Sequence, residues 1–144
     1  MKASLLFLAI LLSNYGQAAD ASASLGLHFE RMGGGIAEDG FDIHCGKPNA
    51  GSCEVLMLDH GKPQESATVT VAQAHEWIEK FVAAAKKPDN GRSGRVVISV
   101  TFTLDGKAGH ADLTTEDRKA GSNPYARAFT SLETKLRDTV AATP

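Results

Sequence analysis

The sequence predicts an α+β fold: a small antiparallel sheet with two amphipathic helices packed on one face, in the order β-β-α-β-β-α. Three observations carry this expectation. Apolar residues recur at three- and four-residue spacing from Ala74 to Ala85 and again from Tyr125 to Val140, the period of a helix with one buried stripe. Between them Val96, Ile98, Val100, Phe102 and Leu104 alternate with Val97, Ser99, Thr101 and Thr103, the period of a strand with one wet face. Asp105-Gly106 then supplies the backbone freedom of a tight hairpin turn. Two stripes need one common surface to cover, which a sheet face provides.

At the N-terminus, Met1 and Lys2 precede an unbroken apolar run from Leu5 to Leu12, the anatomy of an export signal. The run is far shorter than the roughly 20 apolar residues that span a bilayer core, so it engages an export machine without forming a stable membrane anchor. Small residues at Ala18, Ala19, Ala21 and Ala23 offer cleavage sites, and we place the cut after Ala19. Residues 1–19 are thus expected to be a cleavable signal peptide and residues 20–144 a single exported α+β domain, periplasmic or secreted. No cysteine lies near the cut to accept a lipid. Cleavage removes Lys2 and no acid, so the formal net charge moves from -2 to -3, which excludes the basic footprint of a nucleic-acid binder.

Along the mature chain, Leu25, Leu27 and Phe29 alternate with polar or small residues as a first short strand. Residues 31–52, with three successive glycines, Glu38-Asp39 and Gly40, read as a long irregular loop. The apolar run Val55-Leu56-Met57-Leu58 is a second strand, and His60 to Gln64 a turn. Thr70 and Gln73 form a capping-box pattern that opens a helix over 71–87, with Lys86 and Lys87 at its negative end and Pro88 as its stop. A loop over 89–94 leads to the strand at 96–104, its more polar partner returns over 107–115, and Glu116 to Gly121 reads as solvated loop. Asn123 before Pro124 opens the second helix, about 124–141, where Glu133 and Arg137 form a favourable i,i+4 pair.

Cys45 and Cys53 are the two cysteines of the chain, and in an exported protein such a closely spaced pair is expected to join. Chain-entropy reasoning assigns a loop this short roughly 2 to 3 kcal/mol. The alternative, a Cys45 thiolate activated by His44 near Asp42, needs a contact that sequence neighbours on an extended chain do not make. His28, His44, His60, His75 and His110 are dispersed without zinc-type spacing, so neither metal nor cofactor is expected. Gly33-Gly34-Gly35 lacks the Lys-Ser/Thr of a phosphate loop, and Glu116-Asp117 reads as surface charge. Trp77, at helical spacing with Phe81, is expected on the core side, with an interface anchor as the alternative.

The stretch from Gly94 to Ala108, with its polar loop and the helix from Asn123, resembles the hairpin-plus-helix of TonB-type C-terminal domains over about a third of the chain. The resemblance implies a periplasmic partner-binding domain; the anchor and proline-rich linker that accompany such domains have no counterpart here. With no assembled catalytic set, the expectation is a non-enzymatic binding protein: an inhibitor or immunity protein that blocks another protein, such as a toxic or peptidoglycan-degrading enzyme. The partner-binding residues expected are Gly33, Gly34, Gly35, Asp42, His44, Lys47, Glu116, Asp117 and Arg118. Two alternatives are an envelope assembly factor adding a strand at residues 107–115, and a small secreted hydrolase using His44 or His110.

Overall fold

Period-two alternation along six strands sets the architecture of the computed structural model, which describes residues 24–46, 51–86, 94–119 and 123–144. The expected signal segment, Lys47, the 89–93 part of the expected loop and the proline stop at 88 lie outside those residues. Strands β1 (Gly26–Gly33), β2 (Ile36–Cys45), β3 (Ser52–Asp59) and β4 (Lys62–Thr70) precede helix α1 (Val71–Ala84). Strands β5 (Val96–Leu104) and β6 (Lys107–Thr114), the short helix α2 (Thr115–Lys119) and helix α3 (Pro124–Ala141) follow. All strands join one antiparallel sheet in the order β4-β3-β2-β1-β5-β6.

The α+β class holds, but the element order is β-β-β-β-α-β-β-α-α rather than the expected β-β-α-β-β-α. The expected loop at 31–52 is mostly strand, because Phe41 and Ile43 alternate with Asp42 and His44 and are both 1% exposed. Its glycine run supplies only the turn between β1 and β2, where Gly34 and Gly35 take φ of 60° and 87°, values that side chains disfavour. The expected turn at 60–64 is confined to His60 and Gly61, and β4 starts at Lys62. β4 escapes notice because an edge strand with one wet face needs few apolar residues; it buries Ala67 and Val69 alone, and an edge tolerates Pro63.

The helices start where their chemistry says. Thr70 accepts from the Gln73 amide at 3.1 Å while the Gln73 side chain accepts from the Thr70 amide at 3.0 Å, satisfying two otherwise unpaired donors. α1 ends at Ala84, so Lys86 stands beyond its last turn instead of within it. Asn123 accepts from the Tyr125 amide at 2.9 Å and Pro124 opens α3, whose bounds match the expected ones.

A third, unexpected helix replaces part of the expected solvated loop. Thr114 donates through its amide (2.9 Å) and hydroxyl (2.8 Å) to Asp117, which is 1% exposed. This reciprocal Thr-x-x-Asp contact starts α2 as the Thr-x-x-Gln contact starts α1. Asp117 is thus an internal cap and not surface charge.

Inward-facing strand residues, including Leu27, Phe29, Phe41, Ile43, Val55 and Val100, form one buried cluster with Ala74, Ile78 and Phe81 of α1 and the α3 stripe from Tyr125 to Val140. Phe129 is its hub, edge-on to both Phe81 and Tyr125 with ring centres 5.1 Å apart. Burial, with Asp117 and Asp112 nearby, pushes the Tyr125 phenol up to about 12, so it stays a donor to the Asp112 carbonyl at 2.5 Å. In β5 the expected alternation holds from Ile98 onward, but a register shift between Val96 and Ile98 also buries Val97. Arg31 of β1 and Arg137 of α3 both engage Glu133, and both reach Asp39 of β2 at 3.3 and 3.5 Å.

Backbone packing leaves no room for a side chain at Gly40, where a Cβ would meet the Phe29 carbonyl oxygen at 2.2 Å. Gly40→Ala is expected to destabilise the fold by roughly 1 to 3 kcal/mol, the usual cost of overpacking, read as a lower denaturant midpoint at unchanged slope. A midpoint equal to wild type would show that β1 and β2 are not this close.

Candidate functional site

The residues that alternate with the core project from the other side of the sheet, and the pairing registers arrange them in rows. Asp42, His28, Thr101 and His110 lie across β2, β1, β5 and β6 as successive partners. Glu30, Ser99 and Asp112 form the next row, and His44 with Glu54 and Thr68 a third. No Lys or Arg stands in these rows, while four carboxylates do: Glu30, Asp42, Glu54 and Asp112.

His28 is the centre of the arrangement. Its Nδ1 bonds the Asp42 carboxylate and its Nε2 lies 2.8 Å from Glu30. Asp42 also approaches His44 Nε2 at 3.4 Å. Partial burial works against the charged imidazolium, but the two carboxylates outweigh it and raise His28 above its ordinary 6.5. With acceptors on both nitrogens, protonated His28 satisfies both partners, whereas the neutral ring has one N–H to offer.

Ser99, His110 and Asp112 have the residue types of a hydrolytic triad without its geometry. Ser99 Oγ lies 3.2 Å and Asp112 Oδ1 2.8 Å from the same nitrogen, His110 Nε2, and the aspartate contact lacks hydrogen-bond alignment. Triad chemistry needs the serine and the carboxylate on opposite ring nitrogens. Two strands separate His44 on β2 from His110 on β6, a span of roughly 15 Å at normal strand spacing, so they do not converge on one bond. Among the described residues no group of three or more His, Cys, Asp or Glu is placed to hold a metal ion.

Cys45 and Cys53 are cross-strand partners with Cα atoms 4.0 Å apart and form a disulfide, which consumes the thiol that a Cys45 nucleophile would need. Beside it His44, Glu54 and Thr68 line a shallow hollow of about 260 Å³.

The expected partner-binding residues fall into two places. Arg31 pairs with Ile98, and Val96 with Thr114, so the Gly33-Gly34-Gly35 turn and Glu116, Asp117 and Arg118 of α2 cluster at one end of the sheet. Asp42 and His44 belong instead to its polar side. Of the α2 residues, Arg118 is exposed while Asp117 is buried as a cap. Sequence reading weighed His28 only among dispersed histidines and missed its grouping with Glu30, Ser99 and Asp112; their signal was parity, each lying two residues from another polar position on its strand.

A group whose folded value is raised stabilises fully below its unfolded value and loses that contribution as pH climbs through the folded one. Wild-type protein should therefore lose thermal stability as pH rises above the ordinary imidazole value of 6.5, by an increment that His28→Gln removes. Equal slopes for the two proteins would rule out the His28 contacts as the source.

Comparison of the chain with family models, with curated proteins and with solved structures finds no match.

Proposed function

We propose that the chain is an exported, non-enzymatic binding domain of the bacterial envelope, an inhibitor or immunity protein that blocks a cell-wall-degrading or otherwise toxic enzyme. The apolar side of the sheet carries both long helices and the polar side stays open as the recognition face. One observation carries this reading: among the described residues, the three polar rows hold four carboxylates and no Lys or Arg, and the potential nucleophile, base and acid there are not aligned for catalysis. Such a face suits a partner with a basic surface, because charge complementarity sets encounter rate and orientation. The disulfide and the signal-like N-terminus support an oxidising location. No described helix is long and apolar enough to cross a membrane.

A second reading, the envelope assembly factor, is favoured by the position of β6 at the sheet edge, where an extended segment could add as a further strand.

Immobilised residues 20–144 should retain from envelope extract a basic-surfaced enzyme whose activity falls on binding. Its affinity should drop about tenfold when Asp42→Asn and Glu54→Gln are combined. Unchanged affinity in that variant would move the interface off the polar face, and retention of no enzyme at all would argue against inhibition. A cytoplasmic protein bearing an intact Met1 would overturn the export assignment.

A further inference from the structure

Helices α1 and α3 leave between them a groove of about 340 Å³. Trp77, Phe81 and Ala84 line one side and Pro124, Ala128 and Leu132 the other. Among the described residues, every charged side chain lining it is a cation: Lys80, Arg127 and Lys135. Lys80 is engaged by Glu76 at 2.5 Å, and Lys135 stands 6.0 Å from the centre of the Trp77 ring. Arg127 also lines an adjoining hollow of about 270 Å³ together with Arg31, Arg118 and Thr130. The one carboxylate there, Glu133, already serves Arg31 and Arg137. Guanidinium groups are therefore concentrated on this side of a chain whose formal net charge is -2, opposite in sign to the polar face of the sheet.

We propose that these two hollows, joined at Arg127, dock an acidic amphipathic helix of a partner protein. Its large apolar side chain would seat against Trp77, and carboxylates flanking it would meet Arg127, Lys135 and Arg118. The open slot between two helices is the shape that receives a helix face, and the cationic rim selects acidic flanks while repelling basic ones. A bilayer is a poorer occupant, since interfacial binding draws on projecting apolar side chains and the exposed large hydrophobics, Ile36 and Val71, do not line the groove. The proposal uses a different surface from the polar face and stands independently of it.

Trp77 is the sole tryptophan, so its fluorescence reports the groove directly. The probes are a synthetic peptide of about four helical turns with leucines on one face and glutamates elsewhere, the same peptide with lysines for glutamates, and phosphatidylglycerol vesicles. The glutamate peptide should shift Trp77 emission saturably. Arg127→Glu combined with Lys135→Glu, both at exposed positions, should weaken it about tenfold, and Ser131→Phe, which fills the groove, should weaken it at least as much. Far-UV circular dichroism identical to wild type verifies that the variants are folded. Equal binding of the lysine peptide, unchanged affinity in the charge variant, a response to vesicles alone, or no response at about millimolar peptide each overturns the proposal. All these variants leave Asp42 and Glu54 in place, so capture of a basic partner through the polar face remains separately measurable.

Discussion

Registration of β1 against β2 is the constraint on which the core and the polar face both depend. Phe29 sits opposite Phe41 and Leu27 opposite Ile43, and the intervening pair is His28 with Asp42. Because strand side chains alternate with period two, a slip of β2 by one residue would turn Phe41 and Ile43 to water and bring the Asp42 carboxylate inside. Each apolar side chain exposed costs roughly 1.5 to 3 kcal/mol, and an unpaired buried charge costs several more. The Gly34-Gly35 turn fixes this register from one end, and the Cys45–Cys53 bond fixes β2 against β3 at the other. One set of pairings thus specifies what the helices cover and what water sees.

Elements whose signal is local were legible in the sequence. α3 follows from Asn123, Pro124 and a stripe of six apolar positions that are all buried, and α1 from its Thr70–Gln73 cap. β5 and its Asp-Gly turn were equally plain. β2 and β4 were not, because a strand beside glycine and acidic residues, or one at an edge, has too few apolar positions to stand out from a loop. Thr114 and Asp117 held the same kind of cap as Thr70 and Gln73, but no apolar run follows them to draw attention. The polar face was illegible for a different reason. Its members are spread over all six strands, and only the strand order brings His28 beside Asp42 and Thr101.

Cations are unevenly placed about the fold. Glu30, Asp42, Glu54 and Asp112 stand in the polar rows of the sheet with His28, His44 and His110, whereas Arg31, Arg118 and Arg127 line one hollow beside α2 and α3. Glu133 lies in that hollow as a structural anchor: two guanidiniums hold it, and through them α3 is fastened to the β1–β2 hairpin.

Pro63 has one more consequence, for self-association. The two outer strands of the sheet are β4 and β6, and open strand edges tend to recruit further chains. β4 carries a proline without an amide hydrogen, flanked by exposed Lys62 and Glu65, and so makes a poor template. Only β6 is left to recruit, and a joint between two identical edges is used up once formed. Growth through strand edges should therefore stop at pairs rather than run on into fibrils.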